Sequence, residues 1–358
     1  MRSLKRVSLL FVLAFLLQDV VAQSVSNSPS PSPTVLAPVT RAIAQTTPVP
    51  HSPAEILKLA TAMNGLVVPS TKPWRVKLTW DQFDEDGDNI HSGTFEEFYV
   101  GSRKYRRIYA GDTLNQTDVA TESGLYRSGD QRWPAWAEMQ IRSEALQPLY
   151  LALRDQPNVR LDKINWQFGS SKLPCIILRR TDVTISDNGL PKFCFEPGTV
   201  LLRYTRGSGW DETFYSNFVL FQGRYVPLDI EVTHAGKAFL KIHVEELESI
   251  AQIDDSLLKP PTGSARPLAE RVSISSDILM RDYLISTAMP AYPRGAHGKV
   301  SVKFVVGKDG RVIQADAEDG PAEVRGPAVE AVRKYRFRPF LVLDEPVEVE
   351  GEMFFELH

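Results

Sequence analysis

The clearest alternation of apolar and polar positions lies in the C-terminal part of the chain. Residues 299–307 and 311–318 alternate with a period of two and flank Lys308-Asp309-Gly310. Asp and Gly tolerate the positive φ of tight hairpin turns, so this segment predicts a β-hairpin. A helical repeat follows, formed by Ala328, Val329, Val332 and Tyr335. The predicted order is a hairpin, a helix that covers it, and a closing strand.

The closing strand has an apolar face and an acidic face. The acidic face carries Glu348, Glu350, Glu352 and Glu356, and Phe354 breaks the alternation. Such a strand can expose an edge that accepts an extended peptide by strand addition. Its charges can instead block pairing with other chains. The candidate partner-binding strand consists of Val347, Val349, Met353, Phe355 and Leu357.

Residues 290–358 resemble the C-terminal domain of the TonB family. The resemblance rests on Tyr292-Pro293, Gly298-Lys299-Val300, Asp309-Gly310, the block 328–339, Pro346-Val347 and Phe354-Phe355-Glu356-Leu357. Tyr335 stands where the family more often has Trp. The resemblance implies a small ββαβ domain that grips a short segment of a partner protein. That partner would be a TonB-dependent outer-membrane receptor or another envelope protein.

Residues 52–250 contain many short alternating segments separated by turns. They predict antiparallel strands, and residues 137–153 add a helix-period stripe that Pro148 interrupts. The fold class is therefore α+β, a curved antiparallel sheet wrapped over helices and followed by the small domain. The order of elements resembles the LolA and LolB lipoprotein carriers, including a Gly101 turn between two strands whose basic residues are expected to face outward. This resemblance implies lipid as a possible ligand.

Aromatic residues in this region are candidates for lining an apolar ligand site. A concave sheet that carries them could bind such a ligand, although ordinary core packing is an equally good explanation. The candidates are Trp133, Trp136, Trp210 and Phe218.

Two shorter patterns mark the ends of the large region. Ser52-Pro53-Ala54-Glu55 predicts a helix start, with Ser as N-cap and Glu three residues later. The cluster 259–267, rich in Pro and Gly, breaks the chain within a predicted linker over residues 251–289.

The N-terminus has the layout of a secretory signal peptide. Arg2, Lys5 and Arg6 precede an apolar run over 7–17, and cleavage is predicted after Ala22. Residues 23–51 are rich in Pro, Ser and Thr and predict a disordered spacer. The product would be periplasmic or secreted. The alternative is an uncleaved segment that anchors the chain in the inner membrane.

The chain has two cysteines, Cys175 and Cys194. Export leads into an oxidising compartment, and both residues fall in apolar segments typical of strands, so we expect a structural disulfide. Without further ligands or a Cys-x-x-Cys spacing, neither a metal site nor a redox site is indicated.

Composition and motifs argue against several kinds of chemistry. The formal net charge is −3 and no polybasic tract occurs, so nucleic acid is not an expected partner. Asp84, Asp86 and Asp88 alternate as in calcium loops, but Phe95 occupies the twelfth position, where the loop needs Glu. No phosphate-binding loop, nucleophile elbow or histidine pair is present. We therefore expect no enzymatic activity, no metal and no cofactor.

The sequence thus predicts an exported envelope protein that acts in transport or as a periplasmic adaptor through strand addition. One competing hypothesis is a membrane-anchored TonB-type energy transducer. Another is a periplasmic carrier of lipids or lipoproteins.

Overall fold

The computed structural model describes most of the chain after residue 47. Its described residues are 48–357 apart from 68–70, 150–158, 169, 181–189, 208–210, 252–253, 265–270, 275–278, 318 and 343–344. The predicted signal peptide and most of the predicted spacer lie outside these residues, as does Trp210.

The larger part of the fold is one open antiparallel sheet of twelve strands, in the order β5-β4-β3-β2-β1-β12-β11-β10-β9-β8-β7-β6. Its strands are β1 (Trp74–Phe83), β2 (Asn89–Gly101), β3 (Lys104–Gly111), β4 (Asn115–Thr121), β5 (Gly124–Gly129), β6 (Val159–Phe168), β7 (Ser171–Arg180), β8 (Lys192–Phe195), β9 (Leu202–Arg206), β10 (Asp211–Phe221), β11 (Arg224–His234) and β12 (Lys237–Ser249). With its helices, this sheet confirms the predicted α+β class.

Two helices pack against this sheet. Helix α1 (Pro53–Met63) contacts β6 and β11, and α2 (Trp136–Leu146) contacts β11 and β12. Both helices share one core with the sheet, where Trp74, Ile141 and Tyr225 are almost fully buried. Burial of each such large side chain is worth about 1.5–3 kcal/mol.

The start of α1 follows its sequence signal. Ser52 is the N-cap, its hydroxyl accepts from the Glu55 amide at 3.3 Å, and Pro53 opens the helix. At the other end, the buried Asn64 side chain donates to the Val200 carbonyl at 2.8 Å and accepts from the Leu202 amide at 3.0 Å. Helix α1 is therefore fixed to the sheet at its C-terminus by hydrogen bonds as well as by packing.

Strand β6 is the main element that the sequence pattern did not predict. It pairs with β7 along its whole length. Its apolar positions change phase, from Val159 and Leu161 to Ile164, Trp166 and Phe168. A period-two pattern interrupted in this way does not indicate one continuous strand.

The two cysteines form the expected disulfide. Cys175 of β7 lies directly opposite Cys194 of β8, and both are buried beside Phe168 and Tyr204. The bond fastens two neighbouring strands, which confirms the prediction.

The smaller part of the fold is a second sheet, in which β13-β19-β15-β16 follow one another and β18 also pairs with β19. A separate pair joins β14 and β17. These strands are β13 (Arg271–Ser273), β14 (Leu284–Ser286), β15 (Gly298–Val306), β16 (Val312–Ala317), β17 (Arg336–Phe337), β18 (Phe340–Val342) and β19 (Glu345–Leu357).

Helix α3 (Ala322–Arg333) packs on β15 and β16 and completes the small core. It begins six residues before the first residue of the predicted repeat and contains Pro327. Val324 is buried together with Ala328, so the helical repeat extends across Pro327 to an earlier start than the predicted repeat.

The hairpin between β15 and β16 turns at the predicted Asp-Gly pair. Gly310 has a φ of +80°, and a Cβ there would lie 1.9 Å from the Phe337 carbonyl oxygen. The Asp309 carboxylate accepts from the Arg311 amide at 3.0 Å. The turn therefore needs glycine both for its backbone angle and for the close approach of the chain before β18.

The predicted linker contains structure of its own. A 3-10 turn at Asp255–Leu258 packs on β3, where Arg106 donates to the Leu257 carbonyl at 3.2 Å and Leu258 is buried. A π-helical turn at Leu279–Tyr283 and strand β13 both belong to the small core.

Candidate functional site

Strand β19 is the longest strand of the small sheet and has two different sides. On one side, residues 349–357 pair with β15 in antiparallel register. On the other, residues 345–347 pair with β18 and residues 348–350 pair in parallel with β13. Up to Glu350, β19 is thus an interior strand and not the open edge that the sequence suggested.

The C-terminal end of β19 differs from the rest of the strand in its pairing. Among the described residues, no strand lies beside residues 353–357 on the side away from β15. The Glu350 carbonyl accepts from the Ile274 amide at 3.3 Å, so the backbone of Glu350 points away from β15. By the two-residue alternation of a strand, the amide and carbonyl of Phe354 point the same way. This stretch, residues 353–357, is called here the open edge.

Four of the five apolar residues predicted to bind a partner face the core, and the side chain of the fifth, Leu357, lies outside the described part of the structure. Val349 and Met353 are buried under α3 and the π-helical turn, while Val347 and Phe355 pack against the same core. Leu357 pairs with Gly298 through its backbone. These side chains hold the strand in place, so any strand addition would use the backbone of β19. Whether the strand binds a partner stays a prediction.

The opposite face of β19 is exposed and mainly acidic. Phe354 is 73% exposed on this face. Beside it runs a groove of about 590 Å³. Its polar lining consists of Arg271, Ser273, Lys303, Gln314, Asp316, Glu350 and Glu352. The charged lining of the groove is mixed, with Arg271 and Lys303 beside Asp316, Glu350 and Glu352, so it suits a peptide with polar or charged side chains.

Strand β13 occupies the part of this site next to the open edge. Val272 is buried, while Arg271 points outward, with Nη2 2.7 Å from Glu348 and Nη1 3.4 Å from Glu350. The hydrogen bond that Arg271 donates to Glu348 is the main cause that raises the pKa of Arg271. The chain's own segment therefore shows how a short extended peptide sits against β19.

Gly351 permits close packing next to β13. A Cβ at this position would lie 2.4 Å from Leu279 Cδ1 and 3.0 Å from Phe304 Cζ. The missing side chain lets Leu279, which follows β13, reach the inner face of β19. Leu279 is thus held by the core of the small sheet.

A second candidate site lies between the two sheets. Trp133 and Trp136 both line a cavity of about 250 Å³, together with Tyr283 and Phe340 of the C-terminal part. The Trp133 and Phe340 rings meet edge to face with centroids 5.8 Å apart. Phe218 is buried in the large core and does not line this cavity. Whether an apolar ligand binds here stays a prediction.

A buried charge cluster adjoins this cavity, formed by Glu97 with Arg107 and Arg142. Glu97 lies directly opposite Arg107 across the β2–β3 pair, and its side chain has no solvent exposure. Burial opposes the charge of Glu97, but the attraction of Arg107 and Arg142 outweighs it and lowers its pKa. The pKa of Arg107 is raised, because the attraction of Glu97 outweighs the effect of burial.

Sequence reasoning missed this cluster and expected the basic residues after the Gly101 turn to face outward. That expectation is wrong for Arg107, whose guanidinium also lies over the Tyr105 ring at 3.8 Å. Counting outward from the turn would place Arg107 opposite Phe98, but a β-bulge between Tyr99 and Gly101 shifts the register and brings Glu97 opposite Arg107.

Within the described part of the chain, no three His, Cys, Asp or Glu side chains lie close enough together to hold a metal ion. None of the helices in that part has the length and hydropathy of a membrane span.

The C-terminal pattern predicted a hairpin, a helix that covers it and a closing strand. The small sheet with α3 contains all three. Residues 289–357 match the family described as Gram-negative bacterial TonB protein C-terminal, which confirms the resemblance. This similarity associates the chain with the bacterial cell envelope. The search of curated proteins found no match to the chain.

Several solved structures resemble the larger part of the chain. A LolA superfamily protein from Nitrosomonas europaea has 9% identity and a TM-score of 0.39, covering 59% of this chain and 98% of its own. A putative outer-membrane lipoprotein-sorting protein domain from Vibrio parahaemolyticus has 8% identity and a TM-score of 0.36, covering 57% and 98%. A DUF1329 family protein from Desulfovibrio piger has 10% identity and a TM-score of 0.38, covering 60% and 98%. At these identities and TM-scores, the comparisons support no statement about the function of this chain.

Proposed function

We propose that this chain is an exported adaptor of the Gram-negative envelope that captures an extended segment of a partner protein on β19. The observation that carries the proposal is the pairing of β13 with β19, next to an open edge that the described chain leaves uncovered. The match of residues 289–357 to the TonB C-terminal family supports it. The role requires no catalysis.

The geometry of β13 predicts how a captured segment would lie. It would run parallel to β19 and donate backbone hydrogen bonds to the carbonyls that point away from β15, as Ile274 does to Glu350. Backbone bonds of this kind supply affinity without fixing the sequence, and side-chain pockets add specificity.

The side chains of β13 predict which sequences fit. Val272 and Ile274 are buried, whereas Arg271 between the glutamates is exposed. A partner segment would therefore alternate β-branched apolar residues with polar or basic ones. In the envelope, an outer-membrane receptor or another periplasmic protein would supply such a segment.

A peptide with the chain's own sequence tests this proposal. A ten-residue peptide that copies residues 270–279 would span Val347 to Glu356 in the register of β13. We expect weak binding to the full chain, because β13 competes, and at least tenfold tighter binding to Val272→Asp, where the internal strand is weakened. Fluorescence anisotropy of the labelled peptide measures both.

Two controls distinguish strand addition from nonspecific binding. Adding Phe354→Pro to the Val272→Asp chain removes an amide that points toward the open edge and leaves the β15 side intact, so binding should be lost. Adding Phe354→Ala keeps that amide and should retain most of the binding. Equal binding by the proline and alanine chains would refute capture through the backbone of β19.

The competing hypotheses are tested by locating the chain. Fractionation of a Gram-negative host that expresses the full chain, with N-terminal sequencing, should give a soluble periplasmic product that begins at Gln23. An intact N-terminus in the inner membrane would favour the anchored transducer instead. For the carrier hypothesis, native mass spectrometry of the purified chain should show a co-purified lipid, and its absence would count against a carrier.

A further inference from the structure

Two cavities lie side by side where the large sheet, α2 and β18 meet. Their volumes are about 250 and 300 Å³. They share five lining residues, which are Arg107, Asp118, Trp133, Arg142 and Gln147. The C-terminal part borders them, with Phe340 at one cavity and Leu341 and Val342 at the other.

The charges at this junction leave one positive charge uncompensated. Arg142 holds the Glu97 carboxylate through Nε at 2.7 Å and Nη2 at 3.1 Å, and Arg107 Nε lies 3.2 Å from the same group. Two guanidinium groups thus share one carboxylate. The other acid at the cavities, Asp118, has both oxygens bound by Arg127, at 2.7 and 2.8 Å.

Both arginines line the cavities and keep donors that Glu97 does not use. Nη1 and Nη2 of Arg107 and Nη1 of Arg142 donate no hydrogen bond to any residue that the structure describes. Guanidinium groups present several N–H donors in a fixed plane, a geometry that matches carboxylate and phosphate oxygens. Glu97 fixes both groups from behind, so a bound anion would not need to order them.

The walls around these donors strengthen the attraction. Tyr109 lines one cavity, and burial raises the pKa of its hydroxyl, which therefore remains a neutral donor. Trp136, Met139 and Phe340 supply apolar contact on the other sides. Removing water from a charged contact increases its energy, because the local dielectric constant falls.

We propose that Arg107 and Arg142 form a binding site for a small oxyanion, a carboxylate or phosphate group, at the junction of the two sheets. The site binds a group with a single negative charge, because that charge neutralises the one uncompensated positive charge of the cluster. Since β18 contributes to the lining of both cavities, the bound group also lies beside the small sheet and stabilises its position against the large one.

The test is calorimetric titration of the full chain with inorganic phosphate, octyl phosphate, octanoate and octanol. We expect octyl phosphate or octanoate to bind in a one-to-one ratio and octanol not to bind. Arg107→Gln leaves the paired bonds between Glu97 and Arg142 intact and should weaken anion binding at least tenfold. Arg160→Gln removes the same charge from an exposed position and should leave the affinity unchanged.

The phosphate probes distinguish the source of the oxyanion. Equal affinity for inorganic and octyl phosphate would assign the site to a free anion, whereas at least tenfold tighter binding of octyl phosphate would assign it to the head group of an amphiphile. The proposal is overturned if no anion binds at millimolar concentration, or if Arg107→Gln binds as wild type. Should Arg107→Gln fail to fold, Arg107→Lys keeps the charge but loses the planar fork, and unchanged binding there also rejects the site.

Discussion

The two sheets use the same pair of chemical groups in opposite surroundings. In the large sheet, Arg142 binds a Glu97 carboxylate that has no solvent exposure. In the small sheet, Arg271 binds Glu348 on a surface where the arginine side chain is 42% exposed. Both contacts are 2.7 Å long. The two ion pairs have equal lengths but contribute differently to stability. A buried charge that loses its partner cannot be hydrated, whereas an exposed one can.

The largest effect should follow from breaking the buried pair. Arg142→Met leaves Glu97 with only the single Arg107 contact and should lower the free energy of unfolding by about 3–5 kcal/mol. Urea denaturation measures this change in the free energy of unfolding. Arg271→Met removes the same charge from the small sheet and serves as the matched control. A loss below about 1 kcal/mol for Arg142→Met would show that the buried cluster is not structural.

The disulfide gives a second measure of how firmly the large sheet is held. Its cysteines are 19 residues apart, and for a loop of this size removal of the crosslink is expected to cost about 3 kcal/mol. Cys175→Ala with Cys194→Ala should lower the unfolding midpoint accordingly. The same midpoint for the oxidised wild type and the double variant would contradict this expectation.

Acid should produce a smaller, graded effect in the large sheet. The pKa of Glu97 lies below its ordinary value, so the folded chain keeps this carboxylate ionised where the unfolded chain protonates it. Its contribution is complete above the unfolded pKa and is lost as the pH falls through the folded value. Unfolding free energies measured from pH 6 to pH 3 should fall less steeply for Glu97→Gln than for the wild type. Equal slopes would mean that Glu97 is not linked to folding.

The smallest effect is expected in the small sheet. Arg271→Gln breaks two exposed ion pairs, and its unfolding midpoint should match that of the wild type within error, because solvent screens such contacts. The same substitution should tighten binding of the 270–279 peptide by weakening its internal competitor. A clear loss of stability would show that solvent does not screen the ion pairs of Arg271 with Glu348 and Glu350.

Local signals predicted much of the fold. The Asp309-Gly310 turn, the N-cap at Ser52 and the facing cysteines all depend on a few neighbouring residues, and all were found. Strand β6 was missed because its apolar positions change phase along the chain. The pairing of β13 with β19 joins residues far apart in sequence, and no local pattern encodes it.

The candidate sites show the same division. The alternation in β19 correctly separated its two faces but could not show that β13 covers part of its side. The cluster around Glu97 required knowing both the register of the β2–β3 pair and the position of Arg142 on α2. The first depends on a β-bulge beside the Gly101 turn, and the second depends on how the helix docks on the sheet.

The 3-10 turn that ends at Leu258 sets a limit on how far the small sheet could travel. Leu258 is buried against the large sheet, and among the described residues the next one held in a strand is Arg271. A fully extended chain spans at most about 3.5 Å per residue, so this tether reaches roughly 45 Å. If the two sheets separate when a partner pulls on β19, the small sheet can search a sphere of about that radius while the large sheet stays in place.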